Sequence, residues 1–315
     1  MQIPLIGLGT FGSDHVSNLD VAQSVITAIN LGYEMIDCAS VYGNEKEIGD
    51  ALKANNIDRS KIWLTSKLWN DKHTSSDVRD SFFNTLSNLN TDYLDLYLIH
   101  WPFPNYHPPK CDVTSRSENA KPYIHDNFMA TCRELEKLYK EGYIRNIGTS
   151  NMTMPKMELL LRDCEIKPFA NEMELHPYFQ QTSFVKYLQS KDIKVIGFCP
   201  IGSPARPERD RTEEDVSELE DSILLDIAKD HKVHPAEICL KWAKGNGIIP
   251  IPQSTKASHL LSNLKSIQED PLSEEELKRL NTIDKDCRLI KGQVFLWKGA
   301  KDWRDLWDLD GTITK

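Results

Sequence analysis

No apolar run in this 315-residue chain approaches the length needed to cross a bilayer, so a membrane-spanning role is not expected. Clustered cysteine is also missing. The seven cysteines (Cys38, Cys111, Cys132, Cys164, Cys199, Cys239 and Cys287) stand singly, odd in number and without a C-x-x-C pair. That spacing suits reduced thiols and offers neither a disulfide framework nor a cysteine-zinc site. The nine histidines include no His-x-x-x-His or His-Glu-x-x-His pair, so no metal is expected. Positive charge is in deficit: 38 Lys and Arg against 47 Asp and Glu leave a net charge of −9, which argues against a general nucleic-acid surface. The opening Met1-Gln2-Ile3-Pro4 lacks a basic segment followed by a sustained apolar stretch. No secretory signal is read there, and a cytoplasmic location is expected. Internal repeats and low-complexity tracts are lacking too.

What is present describes an ordinary soluble globule, with 40% apolar and 27% charged residues. Short segments rich in Ile, Leu, Val and aromatic residues recur at 3–8, 34–37, 62–66, 93–99, 144–148, 170–174, 195–198 and 248–251. Helical patterns lie between them at 19–31, 44–53, 76–89, 127–141, 154–161, 182–190, 222–231 and 257–264, and a further acidic one at 273–280. In the first, Val21, Val25, Ile26 and Ile29 recur at helical spacing, with Asn18 read as the cap and Gly32 as the stop. Eight strands alternating with helices predict an α/β fold of the closed, parallel (β/α)8 TIM-barrel type. A barrel of this kind runs this long as one unit, so residues 1–315 are read as one domain.

Two long loops and a tail exceed the minimal pattern. The segment 101–125 follows His100 and is rich in proline and polar residues, and a loop of that length is usually functional. Its His107, Cys111 and Arg116 are each as readily solvated positions as ligand contacts. The segment 201–221 is heavily charged, with Arg206, Arg209 and Arg211. The tail 284–315 carries Phe295, Trp297, Trp303 and Trp307 without helical periodicity, which suits a segment docked on the barrel at its catalytic face.

Gly7-Leu8-Gly9-Thr10-Phe11-Gly12 spells G-x-G-x-x-G after an apolar strand, and Asp37 lies roughly where a ribose-binding acid is expected in a Rossmann dehydrogenase. The context fails, because residues 13–18 intervene before any helical periodicity begins, whereas the phosphate-binding motif opens directly into its helix.

Four polar residues, Asp37, Tyr42, Lys67 and His100, sit at or just beyond the C-terminal ends of successive strand-like segments, the face on which such barrels build their sites. Taken singly they have bland readings: a capping Asp, a packed Tyr, a surface Lys, a satisfied His. Together they suit carbonyl reduction. A tyrosine phenol is too weak an acid near neutral pH unless a nearby cation stabilises its anion. Lys67 supplies that cation, Asp37 keeps a buried lysine charged, and His100 orients the carbonyl oxygen.

These segments resemble the aldo-keto reductases, aldose reductase-like, over nearly the whole chain. The resemblance rests on Gly7-Leu8-Gly9-Thr10, Ile36-Asp37-Cys38-Ala39 with Tyr42, Lys67-Leu68-Trp69, Leu98-Ile99-His100-Trp101-Pro102, Ile147-Gly148-Thr149-Ser150-Asn151 and Glu174-Leu175-His176-Pro177, in the family's order and spacing. It implies Tyr42 as proton donor, Asp37 and Lys67 as the pair that lowers its pKa, and His100 as the residue that orients the substrate. It implies NADPH or NADH extended across the barrel mouth near Gly9 and Thr10, without a metal. Ser150, Asn151 and Glu172 would hold the nicotinamide carboxamide and Phe198 would stack on its ring. Ile201 and Ser203 would cover the pyrophosphate, while Gln253, Ser254, Thr255, His259 and Asn263 would face the adenosine end. Phe11, Trp69 and Trp101 would wall the substrate pocket.

Departures from the family pattern carry information. Glu172 stands where Gln is usual, and an ionised carboxylate accepts hydrogen bonds without donating any. Gln253 and His259 replace the Lys and Arg that commonly bind the ribose phosphate of NADPH, and Ala205 replaces the loop aspartate of the usual charged latch. Lys256, Arg206 or Arg209 are candidate substitutes. Relaxed or NADH-tolerant cofactor use is expected. The chain also starts almost at its first strand, with little room for the hairpin that often closes the far end of the barrel. The leading expectation is an NAD(P)H-dependent reductase of an aldehyde or ketone, sugar-like in character, with a small-molecule partner, no nucleic acid and no membrane. A nicotinamide-binding regulatory subunit and a Rossmann dehydrogenase remain as alternatives, and the oligomeric state stays open.

Overall fold

The computed structural model describes residues 2–104, 117–208 and 211–314. His107, Cys111, Arg116 and Arg209 therefore lie outside the described residues. Eight strands, β1 (Leu8–Gly9), β2 (Met35–Asp37), β3 (Trp63–Leu68), β4 (Leu96–Ile99), β5 (Ile147–Ser150), β6 (Ala170–Glu174), β7 (Lys194–Phe198) and β8 (Ile248–Pro250), pair in chain order, every ladder parallel. The cylinder closes where Gly7 N–H donates to Pro250 O (3.0 Å) and Gly9 N–H to Pro252 O (3.1 Å). A Cβ on Gly9 would stand 2.8 Å from the Ile251 carbonyl oxygen, so this seam needs glycine. The glycine cluster thus closes a barrel, and only a single 3-10 turn at Ser13–His15 follows it before the first α-helix starts at Asn18. That overturns the Rossmann alternative.

Helices wrap the outside: α1 (Asn18–Leu31), α2 (Glu45–Ala54), α3 (Ser75–Asn88), α4 (His125–Lys140), α5 (Met154–Asp163), α6 (Thr182–Ser190), α7 (Ser222–His231), α8 (Pro235–Gly245), α9 (Ala257–Gln268) and α10 (Glu274–Leu280). Several bounds differ from the sequence reading, among them the first strand, read at 3–8 and observed at Leu8–Gly9, and two differences concern helices. The cap of α1 is Ser17, whose hydroxyl accepts from Asp20 N–H at 3.1 Å, so Asn18 is already helical; Gly32 ends the helix at φ 109° as expected. The second is α8, which no periodicity announced. Ile238, Cys239, Leu240, Lys241, Trp242 and Ala243 are all buried, so this helix has no polar stripe to reveal its period. Its start was nonetheless encoded by His234, Pro235 and Glu237, which form a capping box with proline in the first turn.

The strands are buried on both faces, which explains their nearly continuous apolar runs. Ile36, Leu64, Tyr97, Ile99, Met173 and Val195 point outward into the helical layer, and Met35, Trp63, Leu96, Leu98, Ala170, Ile196, Ile249 and Ile251 fill the cylinder. Each such large side chain contributes about 1.5–3 kcal/mol by leaving water. Parity then decides the site. Because strand side chains alternate, Asp37, Lys67, His100 and Glu172 continue the inward rows begun by Met35, Trp63, Leu96 and Ala170, and they form the uppermost layer at the C-terminal rim.

A third apolar cluster lies above that rim. Trp101, Phe103 and Ala120 pack against Phe295, Leu296, Trp297, Leu306 and Trp307 from the tail. The tail is fastened by Lys156 of α5, whose Nζ lies 2.7 Å from Asp308 Oδ2 and donates to Leu306 O at 2.9 Å, and by Thr153, whose hydroxyl donates to Asp308. No helix among the described residues is long and apolar enough to cross a membrane.

Candidate active site

Lys67 Nζ is the centre of the rim. It lies 2.5 Å from Asp37 Oδ2, 3.0 Å from Cys38 O and 3.3 Å from Glu172 Oε1, and neither it nor the two carboxylates reach solvent. It also stands 5.3 Å from the centroid of the Tyr42 ring. The Asp37 backbone is fixed by Thr10, whose amide and hydroxyl both donate to Asp37 O, at 3.1 and 2.8 Å. Tyr42 leaves the strand on a short turn (Ser40–Tyr42) ended by Gly43 at φ 68°. Its ring meets the His100 imidazole edge to face, centroids 5.9 Å apart, and Phe11 at 5.2 Å. Trp69 covers the other side of His100 at 5.1 Å and is itself met by Phe295 of the tail at 5.7 Å.

Electrostatics follow from this crowding. Burial alone would strip Lys67 of its proton, but Asp37, Glu172 and Tyr42 outweigh it and hold the ammonium well above its ordinary range. Burial, reinforced by the positive charge of Lys67, drives His100 well below the usual imidazole range, so it is neutral at physiological pH. Burial pushes the Tyr42 phenol up, and Asp37 and Glu172 add to that push; Lys67 is the group that pulls it down. In this state the lowering influence expected of Lys67 is present but outweighed by burial.

The four expected residues thus converge. Ser150 and Asn151 sit beside them at the end of β5, Asn151 at φ 55° with its Nδ2 donating to His100 O (2.9 Å) and to Ser150 Oγ (3.1 Å). Several buried polar atoms at this rim lack a protein partner: Asn151 Oδ1, Glu172 Oε2, His100 Nδ1 and Gln253 Nε2. Neighbouring orphan acceptors at the ends of β5 and β6 fit the amino group of a carboxamide, with the half-buried ring of Phe198 on the next strand. Gln253, Ser254 and Asn263 are partly buried and Thr255 and His259 exposed, on the segment that leads from β8 into α9.

Arg206 is not available for a phosphate. Its guanidinium is buried against Asp215 and accepted by Gly202 O and Ser203 O, and Lys291 of the tail joins the same carboxylate at 2.9 Å. This cluster ties the segment carrying Ile201 and Ser203 to the tail. Trp101, expected on the pocket wall, is almost fully buried beneath Phe295 (4.5 Å) and Trp307 (5.5 Å); Trp69 and Phe11 are the more open aromatics at the mouth. The participation of Lys156, Asp308, Asp215 and Lys291 in this end of the molecule was unreadable residue by residue. Only the aromatic content of the tail signalled that it docks.

Residues 5–285 match the profile of the aldo/keto reductase family. The chain belongs to that family. An aldo/keto reductase of Synechocystis sp. is 34% identical over 98% of this chain and 94% of its own length. Human aldo-keto reductase family 1 member A1 is 35% identical over 92% of this chain and 88% of its own. Among solved structures, aldose reductase from Schistosoma japonicum superposes with a TM-score of 0.81 at 33% identity, covering 96% of this chain and 95% of that one. As an aldo/keto reductase the chain is an NAD(P)-dependent oxidoreductase acting on carbonyl groups.

Proposed function

We propose that this chain reduces an aldehyde or ketone of sugar-like character to the alcohol, with Tyr42 as the proton donor. The observation that carries this is the placement of the Lys67 ammonium between Asp37 and the Tyr42 ring at the open end of the barrel. The solved aldose reductase of Schistosoma japonicum supports the sugar-like substrate. NADPH or NADH supplies the hydride when bound. Ser150, Asn151 and Glu172 hold its carboxamide and Phe198 stacks on its ring. Ile201 and Ser203 cover its pyrophosphate, Gly9 and Thr10 line its path, and Gln253, Ser254, Thr255, His259 and Asn263 face its adenosine end.

Each protein group then has one task. Neutral His100 hydrogen-bonds the carbonyl oxygen and fixes its direction. The Tyr42 hydroxyl gives its proton to that oxygen as negative charge develops there, and Lys67 stabilises the phenolate left behind. Asp37 keeps Lys67 charged and aimed. Phe11 and Trp69 form the apolar wall that excludes water, backed by Trp101 and Phe295. The chain acts as one catalytic unit, with residues 284–315 as the cap of the mouth, in the cytoplasm and on small molecules alone. With Gln253 and His259 in place of the usual Lys and Arg and Arg206 committed elsewhere, cofactor use is relaxed between NADH and NADPH.

A carbonyl panel with NADH and NADPH, run on wild type and Tyr42→Phe, tests the reading. Turnover in wild type that collapses in the variant is expected. Tight cofactor binding with no turnover in either protein would replace it with a nicotinamide-binding regulatory subunit.

A further inference from the structure

Two carboxylates share one lysine in the floor of this site. Glu172 Oε1 is 3.3 Å from Lys67 Nζ and Asp37 Oδ2 is 2.5 Å from it, while Asp37 Oδ1 and Glu172 Oε2 are buried without any donor. One ammonium balances one carboxylate. A second bare carboxylate in the same dry space would be an uncompensated buried charge, and a buried group in that position neutralises instead.

Among the described residues, no other cation is placed against Glu172. On its own strand, Glu174 is committed to Leu289 N–H, Ile290 N–H and His176. The neighbouring strands β5 and β7 place Ser150 and Ile196 opposite Glu172, neither ionisable. Across the cylinder stand Asp37 and Lys67, with Tyr42 behind Lys67 and neutral His100 beside it.

We propose that Glu172 is held as a carboxylic acid that donates its proton toward Asp37, and that the state of this proton sets how strongly Lys67 acts on Tyr42. Glu172 is thereby a positioning residue. As a neutral acid it both donates and accepts, as the amide usual at this position does, and it leaves the full Lys67 charge to Asp37 and Tyr42. Burial, then the negative charge of Asp37, push the Glu172 carboxyl well above its ordinary range, in the same sense. When Glu172 ionises, its charge competes for Lys67 and raises the Tyr42 phenol, making it a poorer acid. Reduction then slows as pH rises. The role rests on the reductase reading; the proton on Glu172 does not.

Infrared difference spectroscopy of the cofactor-free full-length protein, in H2O and D2O, reads that proton directly. A protonated-carboxyl C=O band that is present at neutral pH, shifts in D2O, fades on alkaline titration and is missing from Glu172→Gln is expected. A band retained in Glu172→Gln, or no such band in wild type, overturns the proposal. Where turnover is measurable, the alkaline limb of kcat should move up by more than about one pH unit in Glu172→Gln; an unmoved limb also overturns it. Absence of turnover at every pH in both proteins refutes the reductase reading alone, and the infrared result still decides the proton.

Discussion

The Tyr42 ring and the His100 imidazole meet edge to face at 81°, with centroids 5.9 Å apart, so the two side chains share one mouth. The tasks proposed for them differ. Tyr42→Phe keeps the ring and removes only the proton, so kcat should fall by about 10²–10⁴-fold while cofactor binding, followed by tryptophan fluorescence, stays near wild type. A Tyr42→Phe enzyme with kcat within a factor of a few of wild type would remove Tyr42 from the chemistry.

Lys67→Met should damage stability as well as rate. It leaves Asp37 buried without its cation, and breaking a buried pair from one side costs about 3–5 kcal/mol. Urea denaturation should show that loss, and Lys67→Met with Asp37→Asn should recover part of it without recovering activity. Equal stability of the single variant and wild type would mean that Lys67 is not the counter-ion of Asp37.

Cofactor choice should respond to restored cations. Gln253→Lys combined with His259→Arg should raise the kcat/KM ratio of NADPH over NADH by about tenfold or more, since a hydrogen bond to a charged group contributes about 1.5–3 kcal/mol. A wild type that already strongly prefers NADPH would contradict the relaxed use inferred above.

His231 offers a pH signature far from the mouth. Its Nδ1 lies 2.5 Å from Asp270 Oδ2 and its Nε2 2.9 Å from Glu276 Oε1, clamping the end of α7 to the start of α10. Partial burial works against the charged ring, but the two carboxylates outweigh it and raise its pKa from 6.5. With the folded value above the unfolded one, the stabilisation is fully present below about pH 6.5 and is lost as pH rises through the raised folded value. In Tm measured across that window, His231→Asn should lose part of the downward slope with rising pH; parallel curves for the two proteins would show that the clamp contributes nothing.

Asp308→Asn should loosen the tail. It leaves Lys156 buried with a weaker partner, and limited proteolysis should cut near the tail sooner than in wild type. If the tail sets the pocket wall, KM for the carbonyl should rise more than KM for the cofactor.

Much of this was legible along the chain, for reasons that individual residues make plain. The strand at 170–174 was legible by its place in the alternation although only Ala170 and Met173 in it are apolar, and Asp37, Lys67 and His100 announced themselves by following apolar runs. What escaped depends on pairings at long separation or on burial that erases a period. Lys156 and Asp308 are 152 positions apart, and nothing near either one marks it as half of an ion pair. Arg206 reads as a solvated loop cation until Asp215 and Lys291 are seen around it. Glu172 was visible as a departure, yet only the structure puts it on Lys67.

Trp297 and Trp307, buried over Trp101 and Phe103, follow every strand in the chain. The roof of the mouth is thus the last part of the fold to be synthesised, and the barrel can be completed only after all eight strands have left the ribosome.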